Sequence, residues 1–388
     1  MPVDVIDVEH PRYYDTKLYI EDLPLQDFAG DLSDVYTRAI PVRLLASLKT
    51  AAPTPPLVTR LDSLRHLLVS SPHLETLRFV DRGQGTQFEF ESHERLPALR
   101  ELSLQSYDWR HSREEVSRHW DFSRITTLEL VSVPMYNFLS SVDFSDFAGL
   151  RTLHCEDFSA HHSPDRREEA TQMLHKLIES HIRGLTELNI TVHTEGFSAF
   201  RALYPHAATL KTLRLRDHTG FDDEERRCPT LGHEDLVIMS HHLQRLEVLE
   251  LDMDVLRTNP LLFLRAIGCF PALHTLTLNI QTAIMPYNPV PLDRDCDRDG
   301  VLRMFEFLVS FKHGEVPWKT ITFVVGGWKK VMVRRMSEAW KQLNAKGIFA
   351  ERCFVMDIGP DSTINVREEA AVEASQHVTP ETQNQRAA

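Results

Sequence analysis

The amino-acid sequence predicts an α/β repeat solenoid, with a parallel sheet on the concave face and helices on the convex face. Three observations lead to this fold class. A six-residue leucine pattern recurs along most of the chain, and the segments between its copies show helical spacing of apolar residues. The composition, with 42% apolar and 26% charged residues, is that of a globular protein that can bury a core.

The recurring pattern is L-x-x-L-x-L, with eight strong copies and one degenerate copy. The first positions of these copies are Leu74, Leu99, Ile125, Leu150, Leu185, Leu210, Leu246, Leu273 and Trp318. The steps between them are 25, 26, 25, 35, 25, 36, 27 and 45 residues. Leucine-rich repeats have periods of about 20–29 residues, so the longer steps indicate repeats that carry insertions.

Each copy is expected to form a strand followed by a helix. Positions four and six differ by two residues and therefore point to one face of a strand. Thr, which favours strands, occupies position three in six copies: Thr76, Thr127, Thr152, Thr212, Thr275 and Thr320. Helices are predicted over Asp165–Arg183, Pro260–Phe270 and Val301–Phe311 from their apolar spacing. One such unit cannot bury its apolar face alone, so the units are expected to stack.

Four regions are predicted along the chain. They are an N-terminal cap (1–56), the repeat array (57–325), a C-terminal cap of helix and strand (326–358) and a disordered tail (359–388). Within the N-terminal cap we expect a strand near Thr16–Ile20 and a helical stretch near Asp34–Leu48. The array begins with a helix over Leu57–Ser70, where Pro56 suits a helix start. The tail contains no aromatic residue and has too few apolar residues to pack.

Charge and cysteine content restrict the environment and the partners. The chain has 43 Lys and Arg against 56 Asp and Glu, a net charge of −13. Nucleic-acid binding is therefore not expected, because it requires an excess of basic residues. No signal peptide and no apolar run long enough to span a membrane are predicted. The 5 Cys are scattered without a C-x-x-C pair, which favours a reduced, intracellular protein in the cytoplasm or nucleus.

One motif matches a calcium-binding loop. Asp295, Asp297 and Asp299 are followed by Gly300 and, after five residues, by Glu306, which is the D-x-[DN]-x-[DN]-G-x5-E formula. The alternative is an acidic segment that caps the helix Val301–Phe311, where carboxylates accept helix N–H bonds. We expect no tight calcium binding, because prolines precede the motif and Arg303 lies within it.

Two further features have structural interpretations. The pairs His161–His162, His241–His242 and His233–Glu234 lack zinc-binding spacing and are interpreted as solvated or core residues. Residues 326–352 carry seven basic and two acidic side chains, which predicts a cap helix with a solvated basic face. A docking face for an acidic partner or an anionic membrane is the alternative for this segment.

The end of the array resembles fungal F-box/leucine-rich-repeat-type proteins. The resemblance rests on three segments, Val316–Trp328, Arg334–Trp340 and Gly347–Val355, and on the early strand-like Tyr13–Ile20. It implies a solenoid and, as an alternative function, a substrate receptor of a ubiquitin ligase. An F-box is not recognisable before the repeats, since Leu23–Leu32 has the Leu-Pro start without the paired aliphatic residues.

The sequence thus predicts a non-catalytic, monomeric scaffold that binds a protein partner through the concave face, without a cofactor or metal. Outward-facing strand positions supply the candidate partner-binding residues: Arg78, Glu129, His154, Glu156, Arg214, Arg216, Glu250 and Asp252. Arg214 and Arg216 are expected to face Glu250 and Asp252 on the next strand. These four residues could form an intramolecular salt-bridge ladder or a polarised patch that matches a partner. A calcium-regulated binder and an unrecognised enzyme are the other functional alternatives.

Overall fold

The computed structural model describes most of the chain between Lys17 and Ala370. The described residues are 17–25, 35–53, 61–157, 164–192, 197–219, 231–254, 258–280, 295–326, 330–331, 352–358 and 364–370. The chain divides into two compact units. The first unit comprises 1–133 with 140–149, and the second comprises 134–139 with 150–388. The division falls inside the predicted repeat array.

Among its described residues, the first unit has five parallel strands that pair in chain order. They are β1 (Leu18–Pro24), β2 (Leu45–Ala51), β3 (Thr76–Val80), β4 (Glu101–Gln105) and β5 (Thr127–Val133). Its helices are α1 (Val35–Ala39), α2 (Asp62–Val69) and α3 (Arg113–His119). The first turn of α3 is fixed by a capping box, in which Ser112 and Glu115 each bond the backbone N–H of the other.

Between β5 and the next strand lie α4 (Met135–Ser141) and a 3-10 turn (Phe144–Phe147). The second unit then continues with six parallel strands, also paired in chain order: β6 (Thr152–Asp157), β7 (Glu187–Val192), β8 (Thr212–Thr219), β9 (Val248–Met253), β10 (Thr275–Ile280) and β11 (Thr320–Val325). A short β12 (Lys330–Val331) pairs with β8, and β13 (Arg352–Ile358) and β14 (Ile364–Ala370) add antiparallel strands beyond β11.

Helices alternate with the strands of the second unit. They are α5 (Pro164–Lys176), which continues as a π-helical turn (Leu177–His181), α6 (Ala199–Leu203), α7 (His233–His242), α8 (Pro260–Gly268) and α9 (Cys296–Ser310). The start of α8 follows from its sequence, since the Asn259 side chain caps the N–H groups of Leu261 and Leu262 and Pro260 takes the first helical position. The protein is therefore an α/β protein with mostly parallel strands.

The core consists of leucine rows that run across the paired strands. In the second unit Leu188, Leu213, Leu249 and Leu276 are in register on successive strands, and each is fully buried. In the first unit the corresponding row includes Leu77, Leu102 and Leu128. Residues between the buried ones are half-exposed along most strands. We call the side of the buried residues the leucine face and the opposite side the outward face.

A repeated hydrogen-bond arrangement joins successive strands at their starts within each unit, from β3 to β5 and from β6 to β11. The carbonyl oxygen of Lys211 accepts the N–H groups of both Glu247 and Val248, at 2.8 and 3.0 Å. The same forked acceptor recurs at Glu75, Arg100, Arg151, Thr186, Glu247 and His274. Because the acceptor occupies the second position of the leucine pattern each time, the sequence repeat is also a geometric repeat.

Aromatic side chains take the place of a helix in part of the first unit. The segment 81–100, between β3 and β4, contains no helix or strand. Phe88 of this segment packs against Tyr107 and Trp120, with ring centroids 5.5 and 6.4 Å away. Tyr107 is fully buried, accepts the N–H of Phe88 and bonds Nε2 of His111 at 2.8 Å. Burial lowers the pKa of His111 to about 4, so its ring is neutral at physiological pH.

Several element predictions require correction. The helical stretch expected near Asp34–Leu48 is the short α1 followed by β2, because Leu45 and Leu48 belong to a strand paired with β3. The helix expected over Val301–Phe311 begins earlier, at Cys296. Part of the tail expected to be disordered forms β14, which pairs antiparallel with β13 over its whole length. The predicted start at Pro56 lies outside the described residues.

Candidate partner-binding face

The outward face of the first unit carries two of the candidate residues. Arg78 on β3 and Glu129 on β5 occupy equivalent register positions, with Ser103 of β4 between them. Ser103 donates its hydroxyl proton to Glu129 at 2.8 Å, and Arg78 lies 3.8 Å from the Glu101 carboxylate. The Arg78 side chain is 38% exposed. Both residues thus contact side chains of the neighbouring strand and are half-exposed.

The second unit brings together the four candidates on β8 and β9. Arg214 bonds Glu187 at 3.2 Å and lies 3.6 Å from Glu250. Arg216 donates from two of its nitrogens to Asp252, at 3.1 and 3.2 Å. The four side chains therefore form the intramolecular ladder that was one of the two alternatives for them.

Asp252 is the most buried member of this ladder, with 4% of its side chain exposed. Its second carboxylate oxygen accepts the backbone N–H of Asp217 at 2.8 Å. Burial raises the pKa of Asp252 to about 7, although the Arg216 guanidinium and the Asp217 N–H act in the opposite direction. Burial thus favours the protonated form of this carboxyl, whereas its two hydrogen-bond donors favour the ionised form.

Two of the eight candidates are not placed to touch a partner. Glu156 on β6 is only 6% exposed, and Asp252 is buried as described above. His154, two residues before Glu156, is half-exposed and lies in register with Asn189 of β7. The expectation that every outward strand position is accessible is therefore wrong at the carboxyl ends of these strands.

We next compare the exposure of the outward residues that lie in register with Asp252, near the carboxyl ends of the strands. In the second unit Thr191 and Asn279 are 4% and 2% exposed at the position equivalent to Asp252. In the first unit Val80, Gln105 and Val131 are half-exposed at the equivalent position. At this position β3, β4 and β5 thus carry half-exposed residues, whereas in the second unit the half-exposed residues are Arg216 and Val324.

The segment that matches the calcium-loop formula forms the start of a helix and not a loop. Asp295 is the N-cap of α9 and accepts the N–H of Arg298 at 3.0 Å. The remaining motif residues lie within the continuous helix Cys296–Ser310. A helix distributes these side chains around its circumference, whereas a calcium loop wraps them around the ion. The geometry matches the helix-capping alternative.

Asp295 has a further partner in Arg352 of β13. The two outer guanidinium nitrogens of Arg352 each donate to one carboxylate oxygen of Asp295, both at 2.8 Å. Arg352 also donates to Glu368 of β14. These bonds lower the pKa of Asp295 to about 2. The carboxylate is thus engaged in joining α9 to the antiparallel strands.

Only parts of the histidine pairs and of the basic segment lie within the described residues. His241 and His242 are exposed in the last turn of α7, and the ring of His242 packs against those of Phe200 and Tyr204. His161 and His162 lie outside the described residues. Most of the basic segment 326–352 lies outside them as well.

A polar cavity of about 390 Å³ in the first unit was not predicted from the sequence. Its lining includes the charged residues Asp62, Arg65, Glu89, Asp108 and Arg110, with walls from α2 and from the loops after β3 and β4. Asp62 and Arg110 are 48 residues apart in the sequence, so no short motif brings them together.

Within the described residues, no group of three or more His, Cys, Asp or Glu side chains is close enough to hold a metal ion. The four described cysteines, Cys155, Cys269, Cys296 and Cys353, are free thiols. The helices in this part of the chain are all too short or too polar to cross a membrane. No protein-family model matches the chain, and no curated protein matches it.

Proposed function

We propose that the chain is a leucine-rich-repeat solenoid that acts as a non-catalytic scaffold and binds another protein through the outward face of its strands. The observation that carries the proposal is the regular register. Leucine rows and forked carbonyl acceptors recur at the same pattern positions in both units. Stacked strand–helix repeats with a continuous core are the architecture in which proteins present extended binding surfaces.

The outward face suits a protein partner because its side chains are polar and held in place. Arg214 and Arg216 are each anchored by carboxylates, so they lose little freedom when a partner binds. The first unit offers a half-exposed surface, with Arg78 and Glu129 of opposite sign on strands two apart. Such a pattern favours a partner with complementary charges, chiefly through the association rate and specificity.

The test is affinity capture of partners from the native cell with the tagged full-length chain, followed by mass spectrometry. The variant that combines Arg78→Glu with Glu129→Lys reverses the outward charges of the first unit. Its matched control combines Arg118→Glu with Glu114→Lys, which reverses an exposed ion pair on α3. We expect partner recovery to fall at least fivefold in the first variant and to stay within twofold in the control.

Melting curves of both variants must match that of the unchanged chain, so that lost capture reports lost contact. Equal capture by the two variants would contradict the proposal for the first unit. Loss in the control alone would assign partner binding to the helices instead of the strands.

A further inference from the structure

The turns that lead into the strands β6 to β11 form one edge of the second unit. The first residues of these strands are in register, so the residues directly before them lie side by side in a row. Neighbouring strands are about 4.8 Å apart, so the row is about 24 Å long. We call this row, with the turn residues next to it, the start edge. The row consists of Arg151, Thr186, Lys211, Glu247, His274 and Lys319.

The start edge has a positive net charge, although the net charge of the whole chain is −13. The turns before these strands contain two acidic side chains, those of Glu247 and Glu315. The same turns contain six basic side chains: Arg151, Arg183, Lys211, Arg245, Lys312 and Lys319. The six cations against two carboxylates give a local net charge of +4. All six cations except Lys312, which is half-exposed, are fully exposed to solvent.

Carboxylates of the second unit compensate little of this charge. Among the described residues, Lys211 is the one cation of the six that forms an ion pair, with Glu247 at 2.9 Å. The Nζ atom of Lys319 lies 3.5 Å from Nε2 of His274. Burial lowers the pKa of His274, and the charges of Lys319 and Lys312 lower it further. The surroundings of His274 therefore hold more positive charge than Glu247 neutralises.

The packing of the unit accounts for two of the cations and leaves others without a structural role. Arg151 donates from Nη1 to two backbone carbonyl oxygens of the next turn, both at 2.8 Å. Lys312 donates to a carbonyl oxygen after α8 at 2.7 Å and lies over the Trp318 ring. In contrast, the exposed side chains of Arg183 and Arg245 bond no described group. Their guanidinium groups are available to a ligand.

The shape of the start edge suits one extended peptide chain. Such a chain rises about 3.3–3.4 Å per residue, so about seven residues cover the length of the row. Alternate side chains point to the same side, which directs every second residue toward the cations. Each free guanidinium group can donate two parallel hydrogen bonds to one carboxylate, and a lysine ammonium adds a point charge. Glu and Asp side chains are therefore suitable ligands for this edge.

We propose that the start edge of the second unit binds a short, extended, acidic segment of a protein partner. A nucleic acid or an anionic membrane fits less well, because each presents negative charge over an area wider than one row of cations. The acidic remainder of this chain would repel the excess charge. The start edge is separate from the outward face, so this proposal does not rest on the proposed function.

The test is fluorescence anisotropy on the full-length chain with a fluorescein-labelled octapeptide in which Glu and Ser alternate. A matched peptide with Gln in place of Glu keeps the length and removes the charge. We expect the Glu peptide to bind at least tenfold more tightly than the Gln peptide at low salt. Its affinity should fall as salt increases, because the cations are exposed and are screened by ions.

The variant that combines Arg245→Glu with Lys319→Glu should weaken binding of the Glu peptide at least tenfold. Its matched control combines Arg298→Glu with Arg303→Glu, which makes the same charge change at exposed positions in the first part of α9. The control should leave the affinity within twofold. Melting curves check that both variants fold. The milder pair Arg245→Gln and Lys319→Gln should weaken binding at least threefold, and it replaces the charge-reversed variant if that variant does not fold.

Equal binding of the Gln peptide, equal effects of the start-edge variant and its control, or no anisotropy change with the Glu peptide would overturn the proposal. An eight-nucleotide oligouridylate and phosphatidylserine vesicles serve as competitors. If either binds the unchanged chain more tightly than the Glu peptide, and Arg245→Glu with Lys319→Glu abolishes that binding, the acidic-peptide assignment is wrong. The capture experiment with Arg78→Glu and Glu129→Lys is independent, since those residues lie in the first unit.

Discussion

Replacing Leu213 by alanine tests the assignment of the leucine face. The Leu213 side chain is 0% exposed and lies in register between Leu188 and Leu249. Its truncation removes the equivalent of three methylene groups, each worth about 0.8 kcal/mol of burial, or about 2.4 kcal/mol in total. The cavity left between neighbouring strands adds to this loss, so we expect a decrease of about 3–5 kcal/mol in the free energy of unfolding.

The matched comparison is Thr212→Ala, one residue away on the outward face. Thr212 is half-exposed, and its truncation should cost less than about 1 kcal/mol. Leu213→Met keeps the side-chain volume nearly unchanged and should cost less than about 1.5 kcal/mol. Urea unfolding followed by far-UV circular dichroism measures all three values, provided that the slope with denaturant stays constant across the series.

Equal losses for Leu213→Ala and Thr212→Ala would refute the assignment of inward and outward positions. A loss below about 1 kcal/mol for Leu213→Ala would also refute it, because a row that can lose a buried leucine at that cost is not a packed core.

Three further predictions follow from particular contacts. The raised pKa of Asp252 means that the folded chain binds this proton more tightly than the unfolded chain. The free energy of unfolding of the unchanged chain, relative to that of Asp252→Asn, should therefore decrease as pH rises from about 4 to about 7. Urea titrations of both chains across this range measure the effect. Ending the chain after Ile358 removes the exposed β14, so the melting temperature should change by less than about 2 °C. The truncation also exposes the edge of β13, so light scattering should show association of the shortened chain. A control chain that ends after Ala370 keeps β14 and should not associate. A pull-down should not retain a Skp-type adaptor, because Leu23 lies in strand β1 and not in a helical module; retention that Leu23→Asp abolishes would prove this wrong.

Periodicity predicted the parts of the fold in which each strand follows the full leucine pattern. Every strong copy from Leu74 to Leu273 is followed by a strand in the expected register. The strand β2 was missed, although Leu45 and Leu48 have the right spacing, because Thr50 occupies the last apolar position of its pattern. A single polar residue at position six was enough to make the segment resemble the end of a helix.

Long-range contacts account for the other differences. The strand β14 depends on ion pairs such as Arg352–Glu368 and Arg367–Asp357, which local composition does not indicate. The early start of α9 depends on Asp295, whose neighbouring Asp297 and Asp299 made the segment resemble a calcium loop. Local charge patterns are ambiguous in this way until the packing partner is known.

The sequence predicted the cross-strand neighbours in the candidate site but not their burial. Alternation placed Arg214 opposite Glu250 correctly, since register fixes cross-strand neighbours. Burial of Glu156 and Asp252 could not be predicted from alternation, because exposure of an outward residue depends on what the rest of the chain places above it. The cavity was likewise inaccessible to motif analysis, since its residues come from separate loops and from α2.

The most direct test of the central claim is carbodiimide labelling of carboxylates, read by mass spectrometry, on the chain with and without its captured partner. Glu101 and Glu129 report on the outward face of the first unit, and Glu114 reports on the exposed surface of α3. The partner should reduce labelling of Glu101 and Glu129 at least threefold and leave Glu114 unchanged. Protection of Glu114 with unchanged labelling of Glu101 and Glu129 would contradict binding through the outward face.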